Sequence, residues 1–205
     1  MAPLTIGLTG GIAAGKSEAL AAFERLGAAT VSSDAIVHEL LGDQEVRERL
    51  VERWGPEIAP GGSVDRARVS ALVFERPQEL AWLEGVLHPL VGDRVGTWIS
   101  SLPADTEIAV VEVPLLFEAA MEKAFDATVA VVAADETRRE RAAARGHGLV
   151  EERAARQLHQ DEKAARADHV IRNDGSLEEL QAQLAELVVE LRRGAAEHDR
   201  DPLQT

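Results

Sequence analysis

The sequence predicts an α/β fold of three layers, in which helices cover a five-stranded parallel sheet and a helical stretch is inserted between the second and third strands. Three observations carry this. Short apolar runs at 4–9, 29–32, 108–113, 127–133 and 167–172 alternate with segments whose apolar residues recur at helical spacing, and strands alternating with helices favour a parallel sheet. The stretch Ile6 to Ser17 contains Gly10-x-x-x-x-Gly15-Lys16-Ser17, the spacing of a phosphate-binding loop between a strand and a helix. From 35 to 101 there is no strand-like run, only apolar residues at helical intervals.

Composition narrows the classes of function. The chain has 205 residues, 45% of them hydrophobic, enough for one domain with a full core. It contains no apolar run of about 18 residues, so no membrane span is expected. The apolar start reads as a strand feeding the loop, not as a signal peptide. With no cysteine, disulfides and thiolate metal sites are excluded, and a cytoplasmic protein is expected. A net charge of −14 argues against broad nucleic-acid binding. That balance makes local positive charge informative. Residues 135–166 hold eight Lys and Arg against seven acids, a net +1, which leaves −15 for the remainder. Clustered arginine in an acidic chain is a candidate clamp for anions.

In chain order, the first helix spans 16–26 and ends at Gly27. The second strand, 29–32, runs into Ser33-Asp34. Asp34 sits where a strand of a parallel sheet meets the next helix, the edge at which such sheets place ligands; it reads equally as a helix N-cap, and both roles are compatible. In the insertion, Pro77 lies near the start of one helix and His88-Pro89 opens another, while Trp82 and Trp98 read as packing residues. Glu112 ends the third strand, followed by Pro114-Leu115-Leu116-Phe117-Glu118. Glu112 and Glu118 read either as acids near a metal or as helix-start or surface carboxylates. Asp135 caps a helix carrying Arg138, Arg141 and Arg145. Gly146-His147-Gly148 breaks it, and a second helix from 150 to 165 carries Arg156 and Gln160. This basic hairpin has the shape of a lid. Ser176-x-x-Glu179 is a capping box that opens a long amphipathic helix. Gly194 ends that helix, and 195–205 read as a polar, frayed tail.

The loop's chemistry follows from its residues. Glycines let backbone N–H groups turn toward a phosphate, and the helix N-terminus adds partial positive charge. Lys16 reaches the β- and γ-phosphates, and the Ser17 hydroxyl binds Mg²⁺. The chain lacks the Asn-Lys-x-Asp of guanine-specific proteins and the strand-terminal Asp-Glu of motor ATPases. A short chain with a helical insertion and a basic lid favours a small-molecule kinase.

Thr9-Gly10-Gly11-Ile12, Gly15-Lys16-Ser17, Asp34, Leu87-His88-Pro89, Val113-Pro114-Leu115-Leu116-Phe117-Glu118, the Arg141/Arg145 and Arg156/Gln160 spacings, and Ala167-Asp168 with Asn173 together resemble the dephospho-CoA kinase family over 4–192. The resemblance implies transfer of the ATP γ-phosphate to the ribose 3′-hydroxyl of dephospho-CoA to give CoA, the last step of CoA biosynthesis, with ATP and Mg²⁺ as cofactors. It implies a nucleotide core of 1–34 and 102–205, a CoA-side helical domain of 35–101, and a lid of 138–165. The implied catalytic residues are Lys16, Asp34, Arg141 and Arg145. ATP would be held by Gly11, Ile12, Ala13, Ala14, Gly15, Lys16, Ser17, Glu18, Arg145 and Asn173, with Ser17 the metal ligand. The acceptor would be held by Asp34, His88, Leu115, Glu118 and Arg156. The expected partner is this small-molecule substrate alone, with neither nucleic acid nor membrane, on a monomer or weak homo-oligomer.

Two departures stand out. The family usually has Asp-Ala-Asp where this chain has Ser32-Ser33-Asp34, so only the second acid is present. It also usually has Thr where Glu18 stands, a carboxylate that is unhelpful beside phosphate unless it points away. Another nucleoside or nucleotide kinase with a similar lid, or a nucleotide-dependent binder without turnover, are the alternative readings; the presence of Asp34 and a full lid favours the enzyme.

Overall fold

The computed structural model describes residues 2–144 and 157–198. The chain divides into two compact units, one made of Met1–Val31 with Leu102–Thr205 and the other of Ser32–Ser101.

The first unit is built on a parallel sheet of five strands: β1 (Leu4–Gly10), β2 (Ala29–Ser32), β3 (Ile108–Glu112), β4 (Ala127–Val132) and β5 (His169–Arg172), in the order β2-β3-β1-β4-β5. β1 is central, with Leu4 opposite Ile108 on one side and Ile6 opposite Ala127 on the other. Strands of such a sheet are covered on both faces and therefore read as continuous apolar runs. Ile108 to Val111 and all of β4 are buried. α1 (Lys16–Arg25) contributes Ala19, Ala22 and Phe23 to the main core. The last helix contributes Leu180, Leu184, Leu187, Val188 and Leu191, a helical stripe in the same core. Ser176 and Glu179 cap that helix reciprocally: Glu179 N–H donates to Ser176 Oγ at 3.2 Å and Ser176 N–H to Glu179 Oε2 at 2.8 Å.

Two matching braces tie the amino-terminal ends of neighbouring strands. Asp126, just before β4, accepts Thr5 N–H and Thr5 Oγ1–H at 2.7 Å each. Asp168, just before β5, accepts the same two groups of Thr128 at 2.8 and 2.7 Å. The Thr128 hydroxyl is the main reason that the Asp168 carboxyl lies below its ordinary value.

The second unit is helical: α2 (Ser33–Leu40), α3 (Gln44–Trp54), α4 (Arg66–Glu75) and α5 (Pro77–Ser101), with short 3-10 turns at Pro56–Ile58 and Pro60–Gly62. Trp82 packs edge-on against Trp54 with ring centroids 5.1 Å apart.

Five expectations need correction. Asp34 does not cap α2; it is the helix's second residue, and Ser32 takes the cap position. The strand hands over to the helix two residues earlier than the carboxylate suggests. His88-Pro89 opens no new helix, because α5 runs unbroken through Pro89. Leu83, Leu87 and Val91 are buried on one stripe that crosses the proline. Burying each contributes about 1.5–3 kcal/mol, against the ~3 kcal/mol that an interior proline costs. Asp135 is the first residue of α6 (Asp135–Ala144) and not a cap preceding it. No continuous helix reaches 165 from 150, because 157–159 are non-helical. A short helix α7 (Gln160–Arg166) starts afresh from a His159/Glu162 capping box. Finally, Gly194 does not end α8 (Leu177–His198). It keeps a negative φ, and an interior glycine costs only about 1 kcal/mol, too little to stop an established helix.

Candidate functional site: the phosphate loop and its braces

The loop between β1 and α1 owes its shape to two glycines. Gly10 has φ 155° and Gly15 φ 99°. A Cβ on Gly10 would run into the Val131 carbonyl oxygen, and one on Gly15 into the Asn173 amide. Ala13, between them, is held at φ 59°, a left-handed conformation that costs an alanine about 1–2 kcal/mol. Strain of this kind concentrates where backbone must meet a ligand. Lys16, half-buried at the start of α1, arches back so that Nζ donates to the Gly10 and Gly11 carbonyls at 3.1 Å each. Ser17 and Glu18 follow on the exposed side of the helix.

Three side chains from distant parts of the sequence brace the loop. Asn173, buried after β5, donates Nδ2–H to the Ala14 carbonyl at 2.8 Å. Its own carbonyl accepts Arg141 Nη1–H at 3.0 Å. Arg138 donates Nε–H to the Ile12 carbonyl at 3.0 Å and pairs with Asp135 at 3.0 Å. Asn173 and Arg141, both expected at the site from the sequence, lie at the loop, whereas Arg138 is expected on the helix but not at the site. Its position one turn before Arg141 is the signal that marks it.

A second cluster fixes the turn after β3. Lys163 of α7 is fully buried. Its Nζ donates to the Pro114 carbonyl at 2.5 Å and lies 2.9 Å from Glu118 Oε1. The same Glu118 oxygen accepts Leu158 N–H at 2.8 Å. Burial pushes the Lys163 ammonium below its ordinary value, and the Glu118 carboxylate works in the opposite direction. Arg166 lies 4.7 Å from the Phe117 ring centre and pairs with Glu122 at 2.7 Å. Gln160 lies along the end of β4, where its amide both donates to and accepts from Ala133, at 2.8 and 3.2 Å. Neither Gln160 nor Lys163 was named as a site residue. Lys163 gives no local signal, because a lysine on a charged helix reads as solvated.

Lys16, Arg138, Arg141 and Asn173 therefore come together in the first unit, with Leu115 and Glu118 on the turn after β3. Asp34 and His88 are exposed residues of the helical unit. Arg145 and Arg156 lie outside the described residues. Among the described residues no cluster of three or more His, Asp or Glu side chains is arranged to hold a metal. No described helix is long and apolar enough to cross a membrane.

A parallel sheet whose central strand leads through a strained glycine loop into a helix, with arginines from a later helix on that loop, defines a small-molecule kinase of the phosphate-loop class. The fold is shared with the shikimate kinase of Acinetobacter baumannii, at TM-score 0.53 and 15% identity over 92% of this chain and 94% of that one. The family profile described as Dephospho-CoA kinase matches residues 4–179, and the chain belongs to that family of ATP-dependent kinases. A Dephospho-CoA kinase of Synechococcus sp. (strain CC9902) is 39% identical over 189 residues, covering 89% of this chain and 94% of the relative. The crystal structure of a Thermus thermophilus protein superposes at TM-score 0.79 with 36% identity, over 93% of this chain and 99% of that chain.

Proposed function

We propose that this chain transfers the γ-phosphoryl group of ATP to the ribose 3′-hydroxyl of dephospho-CoA, in the cytoplasm. The observation that carries the assignment is the strained loop with Lys16 folded over its carbonyls and Arg141 and Asn173 fixed behind it, in a member of this family. Phosphoryl transfer depends on in-line positioning and on neutralising charge that spreads over the transferred group. In this reading Lys16 moves from the loop carbonyls to the β- and γ-phosphates when nucleotide binds, and the N–H groups from Gly11 to Glu18 cradle the phosphates. The Ser17 hydroxyl is exposed and has no side-chain partner among the described residues, which suits it to hold Mg²⁺ together with nucleotide oxygens. The ion supplies further neutralisation of phosphate charge when bound. Arg141, with Arg145 and Arg156 of the 138–165 lid segment, adds guanidinium groups and excludes water.

Asp34 orients or deprotonates the acceptor hydroxyl, and the helical unit receives the CoA side, with His88 as a contact. In the first unit, Leu115 and Glu118 contribute through the turn after β3. Neither nucleic acid nor membrane takes part, and the chain works as a monomer or weak homo-oligomer. The direct test offers purified protein ATP-Mg²⁺ with dephospho-CoA or with nucleoside monophosphates and follows product by chromatography. Turnover of dephospho-CoA well above the others is expected; turnover of a nucleoside monophosphate alone would replace this reading. Asp34→Asn keeps size and helix geometry while removing the charge. It should lower turnover by about a hundredfold or more without moving the melting temperature. A variant with normal turnover would take Asp34 out of the chemistry.

A further inference from the structure

In the helical unit, four arginines are answered by carboxylates: Arg49 by Glu45 at 2.6 Å, Arg53 by Glu79 at 3.0 Å, Arg68 by Asp65 at 3.2 Å and Arg94 by Asp43 at 2.8 Å. Arg47, Arg66 and Arg76 are not, and of these Arg47 and Arg66 share a cavity. Arg47 donates to the Gly62 carbonyl at 3.0 Å, and Arg66 donates to His38 Nδ1. Neither has a carboxylate partner among the described residues. Both line one cavity of about 220 Å³ together with His38, and no Asp or Glu lines it. In a chain at −14, a cavity holding two guanidinium groups and no acid is the opposite of the average surface.

The donors are specific. A guanidinium can only donate, so the contact with Arg66 makes Nδ1 the unprotonated nitrogen of His38 and leaves Nε2 as an N–H donor. Two planar forks and an imidazole N–H suit the oxygens of a phosphate group. The volume is below the roughly 300–1,000 Å³ of sites that enclose a whole drug-sized ligand, so it fits one part of a larger molecule. His38 also follows Asp34 by four residues on α2, and both are exposed. Residues so spaced share a helix face about 6 Å apart along the axis, the scale of a ribose with its 5′ carbon.

We propose that the cavity framed by His38, Arg47 and Arg66 is a diphosphate site, which grips the 5′-diphosphate of the acceptor while Asp34, one turn earlier on the same face, meets the ribose 3′-hydroxyl. The inference rests on the dephospho-CoA reading for the identity of the ligand, and on the cavity alone for its chemistry. Inorganic pyrophosphate is the probe, read by NMR at the ring protons of His38, which are assigned by their loss in His38→Gln. Pyrophosphate should shift these signals in the full chain. The shift should require at least about tenfold more ligand in Arg66→Gln and in Arg47→Gln, and be partly restored in Arg66→Lys. With dephospho-CoA as acceptor, Arg66→Gln should raise its KM by at least about tenfold and leave the KM for ATP within about twofold. Circular dichroism identifies any variant that has lost its fold; Arg66, at the exposed start of α4, is the safer of the two positions.

An absent His38 shift at millimolar pyrophosphate, or one unchanged in Arg66→Gln, overturns the site. A shift lost in Arg66→Gln with an unchanged KM for dephospho-CoA overturns its assignment to the acceptor. Competition by pyrophosphate against ATP but not against dephospho-CoA overturns it equally. If the wild-type chain fails to phosphorylate dephospho-CoA, the function falls, and the pyrophosphate titration alone decides whether the cavity binds a diphosphate.

Discussion

Two turns at the carboxyl edge of the same sheet, 10–15 after β1 and 114–118 after β3, solve opposite problems. In the proposed function the first is organised for charge that comes from outside. Its glycines keep side chains away, Ala13 accepts a left-handed backbone, and Lys16 waits on the loop's own carbonyls. The second carries its charge within it, as the fully buried Lys163 against Glu118. They share one acceptor, the Pro114 carbonyl, which receives Thr9 Oγ1–H at 3.2 Å just before the phosphate loop and Lys163 Nζ at 2.5 Å. In the proposed function the same residue type thus serves recognition beside one turn and scaffolding beside the other. Burial decides which.

The sharpest way to break the comparison is to remove each lysine. Lys163→Met should cost about 3–5 kcal/mol of stability in urea denaturation, because it leaves the Glu118 carboxylate buried without its partner. Adding Glu118→Gln to that variant should recover most of the loss. A double variant no better than the single one would show that the contact with Pro114, and not the charge pair, is what Lys163 supplies.

Lys16→Ala should do the reverse. Turnover should fall by about a hundredfold or more, roughly 3 kcal/mol in the barrier, while the unfolding free energy moves by no more than about 0.5 kcal/mol. Comparable loss of stability in the two variants would erase the distinction between the turns.

Gly15→Ala lies between the two, since it forces a side chain onto a positive φ and toward Asn173. A cost of about 1–3 kcal/mol is expected, together with weaker binding of ATP, measured by calorimetry. Unchanged affinity would mean that the loop re-forms around nucleotide without Asn173.

The smallest effect is on pH. The folded state holds Lys163 below its ordinary value of 10.5. Between the folded and ordinary values the unfolded chain binds a proton that the folded chain has released, so stability rises with pH through that window. Denaturation midpoints across this range should show the rise, and the Lys163→Met/Glu118→Gln variant should lack it.

How much of this was legible beforehand can be seen residue by residue. The phosphate loop was readable because its function is written in spacing, and the capping box at Ser176 and Glu179 because its partners are three residues apart. The route of α5 through Pro89 was not, because a local breaker was overruled by packing on Leu83, Leu87 and Val91. Asp34 reads as a possible cap because the strand–helix boundary is uncertain by about one or two residues from sequence, and two residues separate the cap at Ser32 from the carboxylate in the first turn.

By itself the sequence determined the order of the strands, the phosphate loop, the long amphipathic helix and the family. These rest on short-range periodicity and motif spacing, which act before any long-range contact exists. Only the tertiary structure decided that Lys163 is buried against a carbonyl 49 residues away, that Asn173 locks a loop 159 residues distant, and that Arg47, Arg66 and His38 face one cavity without a carboxylate. In each case the side chain's polarity is visible in the sequence, but its desolvation and its partners depend on which distant elements close over it.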